Sequence, residues 1–434
     1  MKSQDNKNTK NSKSSTKKPK SKSLTYQEFQ GSNLFRLKIA YSFLLNRPIR
    51  ISNIRPDSTN PGMTPYEISF LKLVSEISNG TKIHINQTGT SLTLIPGTIT
   101  NKYGTEFTFD CDKSRCITYY AEGILPISLY GKESLHIILN GITNNSIDNS
   151  VDSFKMSTCV LLQKLVIGDT VEFKVLKRGV LPLGEGSVSF KIPIITGLAP
   201  FDWNKEGKIK RVRGVAFTSK LGANFTSMMV DTCRGVLNNF LPDVWIAVDN
   251  YKSKDLDKIS PGYGISITAE TKEGFALSTD MINDNDNLRM NANDLSKECT
   301  IKFLNDLYKS GCTNGNNQGL FLFLMALSEK NYVSYMKVGK ISEHTKEVLR
   351  FIYKYLGVKF NIRECDDYDN DNESENVEEN EEDEEGGEES DEEDKEKEYK
   401  KYKNINNEEE PIFYKQYMFS CVGIGLKNVA RIEL

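Results

Sequence analysis

The residues of this chain that could do chemistry are few, and one stretch gathers most of them: Gly311–Leu327, read as Gly-Cys-Thr-Asn-Gly-Asn-Asn-Gln-Gly-Leu-Phe-Leu-Phe-Leu-Met-Ala-Leu. A polar run rich in Gly and Asn passes directly into an apolar run, Gly319–Leu327. Asn and Gly tolerate tight loops and close approach of a ligand to the backbone. The apolar run is far too short to span a bilayer, so it is expected to be buried core that carries the loop. The loop contains no histidine.

Nucleophilic catalysis needs a base beside the nucleophile. The chain has three histidines, His84, His136 and His344, and only His344 sits at a plausible helix start, where Ser342-Glu343 read as a cap. Metal-dependent phosphodiester cleavage needs clustered carboxylates. Outside one acidic stretch, Asp110 and Asp112 lie close together, which is weak support. The eight cysteines form no Cys-x-x-Cys pair and show no zinc spacing, so no metal and no cofactor is expected. No apolar leader follows Met1, so reduced, buried thiols in an intracellular protein are expected. Lys177 and Arg178 precede a glycine-rich run ending in Gly184 and Gly186. Such a run could cradle a phosphate or turn a hairpin; it lacks the P-loop spacing, and the hairpin is favoured. Arg350 and Lys354, four apart on one helix face, would meet a phosphate or simply face water.

Charge narrows the partner. The net charge of −3 hides segregation: Glu364–Asp394 holds 20 of the 59 acidic residues and no Lys or Arg. Without that stretch and the first 24 residues, the remaining body carries about +10 by counting. A basic body favours an anionic partner, and nucleic acid comes first.

The elements that must position these groups read as follows. Residues 1–24 form a basic tail with little to bury, expected to be disordered; its Lys17, Lys18, Lys20 and Lys22 suit nuclear import or a nucleic-acid arm. Phe35–Leu45 has helical spacing, Pro48–Ile54 reads as a strand, and Tyr66–Ile77 as a second helix. A helix, a stop and a strand then recur at Phe70–Gln87, Val160–Lys177 and Val348–Arg363, the last with Gly357 as stop and Val358–Ile362 as strand. A fourth version, Cys233–Val248, breaks at Leu241-Pro242-Asp243. These copies predict an α/β (α+β) protein of similar modules. Residues 25–196 hold the first part of the modules and 263–434 the last part. Between them, 197–262 reads as an inserted α/β domain bounded by Pro200-Phe201-Asp202 and Ser260-Pro261-Gly262. Its entry strand carries Lys210, Arg211 and Arg213 on both faces, which predicts an edge or binding strand. Residues 364–410 form an acidic insertion that cannot fold alone.

Taken in this order, the chain resembles the RNA 3'-terminal phosphate cyclase superfamily, and most closely its eukaryotic cyclase-like branch, which acts in ribosome biogenesis. The blocks that carry the resemblance include Phe29–Arg36, Ile54-Arg55, Asn60-Pro61-Gly62, Gln87–Thr90, Gly141–Asn144, Lys177–Gly186, Gly207–Gly214, Ser260–Gly264 and Cys421–Gly425. The resemblance implies three repeated modules, each a sheet backed by two helices, with a smaller α/β domain inserted. It also implies where an adenylylated histidine would stand, and this chain has Asn314 there. An amide has no nucleophilic ring nitrogen, so no covalent phosphoramidate can form. A metal-binding carboxylate becomes Phe29, an arginine becomes Ser58 and a histidine becomes Glu67, while Arg36, Arg55, Gly62, Thr143 and Arg178 remain. The expectation is therefore a factor inactive as a cyclase, needed for early pre-18S rRNA processing in the nucleolar small-subunit processome. Pre-ribosomal RNA, a ribosome-assembly GTPase and other processome proteins are its implied partners, and no membrane is. The alternative is an RNA endonuclease cutting pre-rRNA in the same complex.

Overall fold

The computed structural model describes residues 25–251, 259–283, 290–365 and 415–428. The basic tail and the acidic insertion beyond Cys365 lie outside the described residues. Three sheets share one plan. In the first, β1 (Gln27–Gln30) leads through helix α1 (Phe35–Leu44) to β2 (Ile49–Ser52), then through α2 (Pro65–Ile77) to β3 (Lys82–Ile85) and β4 (Leu92–Ile95). Helix α2 starts where the sequence marks it. Pro65 occupies the first turn, and the Glu67 carboxylate accepts the Thr64 N–H at 2.9 Å.

In the second, β5 (Phe107–Asp110), α3 (Ile117–Ser128) and β6 (Leu135–Gly141) are followed by a helix α4 over residues 151–163, then β7 (Glu172–Lys177) and β8 (Gly186–Ile192). A π-helical turn, Phe154–Thr158, interrupts α4. Strand β6 alternates buried and half-buried residues without a break, the pattern of a sheet packed on one face. The third sheet starts with β9 (Asp202–Trp203) and is completed only after a long excursion. That excursion contains β10 (Ile209–Ser219), α5 (Asn224–Leu237), β11 (Val244–Tyr251), β12 (Gly262–Thr271), β13 (Ala276–Asn283) and α6 (Ala292–Lys309). The third module then resumes with α7 (Gln318–Leu327), β14 (Val333–Val338), α8 (Glu343–Phe351, prolonged by the π-helical turn Ile352–Leu356), β15 (Asn361–Cys365) and β16 (Gln416–Val422).

The sheet orders are β1-β2-β4-β3, β5-β6-β8-β7 and β9-β14-β16-β15. In each, the first pair is parallel and the other two pairs are antiparallel. The excursion forms its own sheet, β11-β10-β12-β13, over its own core from Val212 to Phe303. All ten residues of α7 are buried, as the apolar run predicts.

Three expectations need correction. The inserted sheet and core span 209–309 rather than 197–262. Pro200-Phe201-Asp202 opens the first strand of the third module, where Asp202 pairs with Tyr335, and Pro261-Gly262 opens an interior strand of the insert. Those prolines mark turns, not domain limits. The basic strand β10 is interior, flanked by β11 and β12; only its first residues, ahead of Val212, lack a β11 partner. The last strand of the third repeat runs Asn361–Cys365, later than Val358–Ile362, because Val358 is drawn into the core after the left-handed turn at Gly357.

Candidate functional site

The Asn-rich loop sits where the second module, the insert and the third module meet. The Asn314 side-chain amide donates to the Ser278 carbonyl of β13, and its oxygen accepts from Ser157 Oγ at 3.4 Å. Ser157 lies in the π-helical turn of α4 and also donates to the Ala276 carbonyl at 2.7 Å. Asn317 is buried; its oxygen accepts from Thr158 Oγ1 at 3.3 Å and from Asn149 Nδ2 at 3.4 Å. Gln318 donates to the Lys340 carbonyl at 3.1 Å and accepts from Thr345 Oγ1 at 3.0 Å. The loop's amides are thus spent on protein partners from three sides. Position 314 itself carries an amide, which is no nucleophile.

Beside this junction lies a cavity of about 340 Å³ between α1, α2, α3, α7 and α8, lined by Arg36, Arg55 and Arg115. Each arginine already has a carboxylate. Arg36 donates to Glu122 at 3.0 Å and to the Tyr119 carbonyl at 2.7 Å. Arg55 donates to the Gly62 carbonyl at 3.0 Å and pairs with Glu67, which is almost fully buried. Arg115 holds Asp148 through two hydrogen bonds, and the Cys116 N–H adds a third at 3.0 Å. Burial works against the Asp148 charge, but these bonds outweigh it and hold the carboxyl below its ordinary range. The guanidinium groups of Arg36 and Arg115 lie 4.3 and 4.4 Å from the Tyr119 ring. Three cations against three carboxylates leave the cleft without net charge for an incoming anion.

The residues present do not fit the metal that the resemblance associates with position 29. Phe29 is 1% exposed and packs in an aromatic cluster with Tyr41, Phe351 and Tyr355, at ring-centroid distances of 5.7, 5.8 and 4.6 Å. Among the described residues, no group of three or more His, Cys, Asp or Glu converges on a metal site.

The other sequence candidates fall into separate places. Arg178 is 3% exposed, bonded through both terminal nitrogens to Asp152 and through Nε to Asp249 at 2.8 Å. It is a strut between the second module and the insert, which corrects its reading as an anion ligand. The glycine run is a hairpin. Gly179 accepts from Thr143 N at 2.7 Å, and a Cβ on Gly179 would lie 2.0 Å from Gly186 N, so only glycine allows that approach. Lys177, Gly184 and Gly186 line a groove with Lys113 and Glu185, themselves paired at 3.2 Å. Lys210 is exposed, whereas Arg211 pairs with Glu270 at 2.6 Å and Arg213 with Asp243 at 2.8 Å. Arg350 and Lys354 are exposed on α8 and its π-helical extension, apart from the Asn314 loop. Ser342 caps α8 by accepting the Thr345 N–H at 3.1 Å, as expected beside His344.

Seven of the eight cysteines are buried and Cys365 is half-buried. Burial pushes the Cys116 thiol up to about 12 and Cys233 to about 11, so neither offers a thiolate near neutral pH. Sequence reasoning missed Arg115, Tyr119, Glu122 and Asp148. Arg115 stands just ahead of the N-cap Cys116 and Tyr119 lies in the first turn of α3, so four positions in sequence bring them together.

Comparison with known proteins agrees with this architecture. The RNA 3'-terminal phosphate cyclase family profile matches residues 27–362. A probable RNA 3'-terminal phosphate cyclase-like protein of Dictyostelium discoideum is 34% identical over 93% of this chain and 99% of its own length. The RNA 3'-terminal phosphate cyclase-like protein of Bos taurus is 37% identical over 77% of this chain and 89% of its own. The rRNA processing protein rcl1 of Schizosaccharomyces pombe is 31% identical over 78% of this chain and 93% of its own. With three modules of one topology, a separate inserted sheet and these matches, the chain belongs to the RNA 3'-terminal phosphate cyclase family.

Proposed function

We propose that this protein is a ribosome-biogenesis factor acting in early pre-18S rRNA processing, without cyclase activity. The observation that carries the reading is Asn314. It stands where the family's histidine is expected, with its amide tied to Ser278 and Ser157. Similarity to an rRNA processing protein gives the direction, and the basic body suits an RNA partner. In this reading the chain works in the nucleolus within the small-subunit processome, holding pre-ribosomal RNA and a ribosome-assembly GTPase in place. Among the described residues no helix is long and apolar enough to cross a membrane.

The test is depletion in cells combined with assays on purified protein. Expected results are loss of 18S precursors on depletion, binding to structured pre-rRNA and to the GTPase, and no covalent label from radiolabelled ATP. A labelled adduct, or normal 18S processing after depletion, refutes the reading. The alternative, an RNA endonuclease, rests on exposed Arg350 and Lys354, and the same preparation tests it. Cutting that persists in Arg350→Ala and Lys354→Ala assigns the cleavage to another agent.

A further inference from the structure

The outer strands of the three modules are blunted. Strands β1, β3, β5, β7, β9 and β15 run from two to six residues, and each carries at least one charged side chain. Short, charged edges resist pairing with another chain. The insert differs: its two outer strands, β11 and β13, are eight residues each. The edge of β13 is answered from within the protein. The Ala276 carbonyl accepts from Ser157 Oγ at 2.7 Å, and the Ser278 carbonyl accepts from the Asn314 amide.

The edge of β11 is open. Its backbone pairs with β10, and no other described residue bonds to it. In a parallel pair, half of the N–H and C=O groups of the outer strand point away from its neighbour. Val244–Tyr251 contains no Pro, Lys or Arg, and its single charge, Asp249, is held by Arg178 Nε at 2.8 Å. Val244 and Ile246 face the helices of the insert, so Val248 shares their face and Trp245 the opposite one. Trp245 is 61% exposed and Val248 50%. Nothing along this strand serves to keep another strand away.

We propose that β11 is a dimerisation edge: two copies of this chain pair β11 antiparallel about a two-fold axis, and two four-stranded sheets become one. The strand that fits this edge is extended, free along one side and uncharged where it meets Trp245 and Val248. Among the described edges β11 alone has that chemistry, and a two-fold axis satisfies both copies at once. Residues opposite one another must share a face of the joined sheet. With Val248 on the axis, it meets its own copy on the helix side, and Trp245 lies opposite Tyr251 of the second copy on the other side. Such β-branched and aromatic cross-strand pairs favour pairing. One strand buries less than the roughly 1,200–2,000 Å² of a stable interface, so the dimer forms and dissociates with concentration.

Sedimentation velocity of the full chain over a rising concentration series should show the mass passing from monomer toward dimer. Trp203 is buried, so a blue shift of tryptophan emission over the same series reports Trp245 leaving water. Val248→Lys puts a charge on the edge and should abolish association, whereas Ile85→Lys, on the free edge β3, should leave it unaltered. Circular dichroism confirms the fold of each variant. Val248→Cys stands on the axis, where opposite Cα atoms about 4.5–5.5 Å apart suit a disulfide. Oxidised glutathione should convert it to a covalent dimer, releasing two reduced glutathiones. Trp245→Cys, about 20 Å from its copy along the paired strands, should stay unlinked, as should the parent. The proposal is overturned if the parent stays monomeric throughout, if Val248→Lys associates as the parent does, or if Trp245→Cys links and Val248→Cys does not. None of these readouts involves RNA, so the dimer and the role in pre-rRNA processing stand or fall separately.

Discussion

Arg178 separates a structural from a ligand-binding reading of the family's retained cations, and the structure gives the size of the effect. Its guanidinium and the Asp152 carboxylate are 3% and 5% exposed, whereas its second partner, Asp249, is 43% exposed. Removing one member of a buried ion pair strands a desolvated charge and costs about 3–5 kcal/mol. Removing a half-exposed partner costs about 0–1 kcal/mol. Asp152→Asn keeps the shape and removes the charge, so it should destabilise strongly, and Asp249→Asn weakly. A multi-unit chain need not unfold in one step, so the measurement is peptide-resolved hydrogen exchange over α4 and β11. With about 1.4 kcal/mol per factor of ten, Asp152→Asn should speed exchange there by two to three orders of magnitude. Asp249→Asn should speed it by less than about fivefold. Equal acceleration in the two variants would falsify the burial argument. So would an Arg178→Met variant that loses RNA binding with exchange unaltered, because the guanidinium would then be a ligand.

Other outcomes follow from the cleft. Asn314→His should acquire no label from radiolabelled ATP, because Phe29 supplies no metal ligand and Arg36 and Arg55 remain neutralised; a stable adduct on mass spectrometry refutes this. Glu67→Gln keeps an acceptor for the Thr64 N–H but leaves Arg55 without a counter-charge. Hydrogen exchange over the start of α2 should show a loss of about 1.5–3 kcal/mol, and unchanged exchange there refutes it. The Arg115–Asp148 pair gives a pH signature. Asp148 titrates lower in the folded than in the unfolded chain, so its contribution is complete above the ordinary value of 3.8 and is lost as pH falls through the folded value. Asp148→Asn should lower stability at neutral pH and flatten this part of the acid limb in urea titrations below about pH 4; an unchanged acid limb counts against the pair.

Much of the fold is legible in the sequence because burial imposes a period. The helix–strand units at Phe70–Gln87, Val160–Lys177 and Val348–Arg363 occupy one and the same place in the three sheets. The fourth unit, Cys233–Val248, looks alike locally but is built differently: its strand β11 runs parallel beside β10 in the insert. A local pattern tells that a strand follows a helix; which strand it joins is decided by residues far away. The same limit explains β10. Positive charge on both faces reads as unburied until Glu270 and Asp243 arrive from distant segments to pair with Arg211 and Arg213. The cleft was half visible. Arg36 and Arg55 stand out by resemblance, but the carboxylate of Arg36 lies 86 residues away and that of Arg115 lies 33 away. No spacing rule joins them.

These pairings bear on the proposed absence of cyclase chemistry. A phosphoryl-transfer site needs donors left open for the substrate and a nucleophile poised among them. Here the donors point at protein. Arg36 ties α1 to α3, Asn314 ties the loop to the insert, and Asn33 reaches Glu347 across the first and third modules at 3.2 Å. Glu67 and Phe29 take part in the same change, one by cancelling the charge of Arg55 and the other by filling with an aromatic ring the position where a carboxylate would stand. Restoring any one of the three positions leaves the other two opposed to catalysis, so the expectation for Asn314→His does not depend on the histidine being misplaced. In the proposed reading, these groups hold the modules in register.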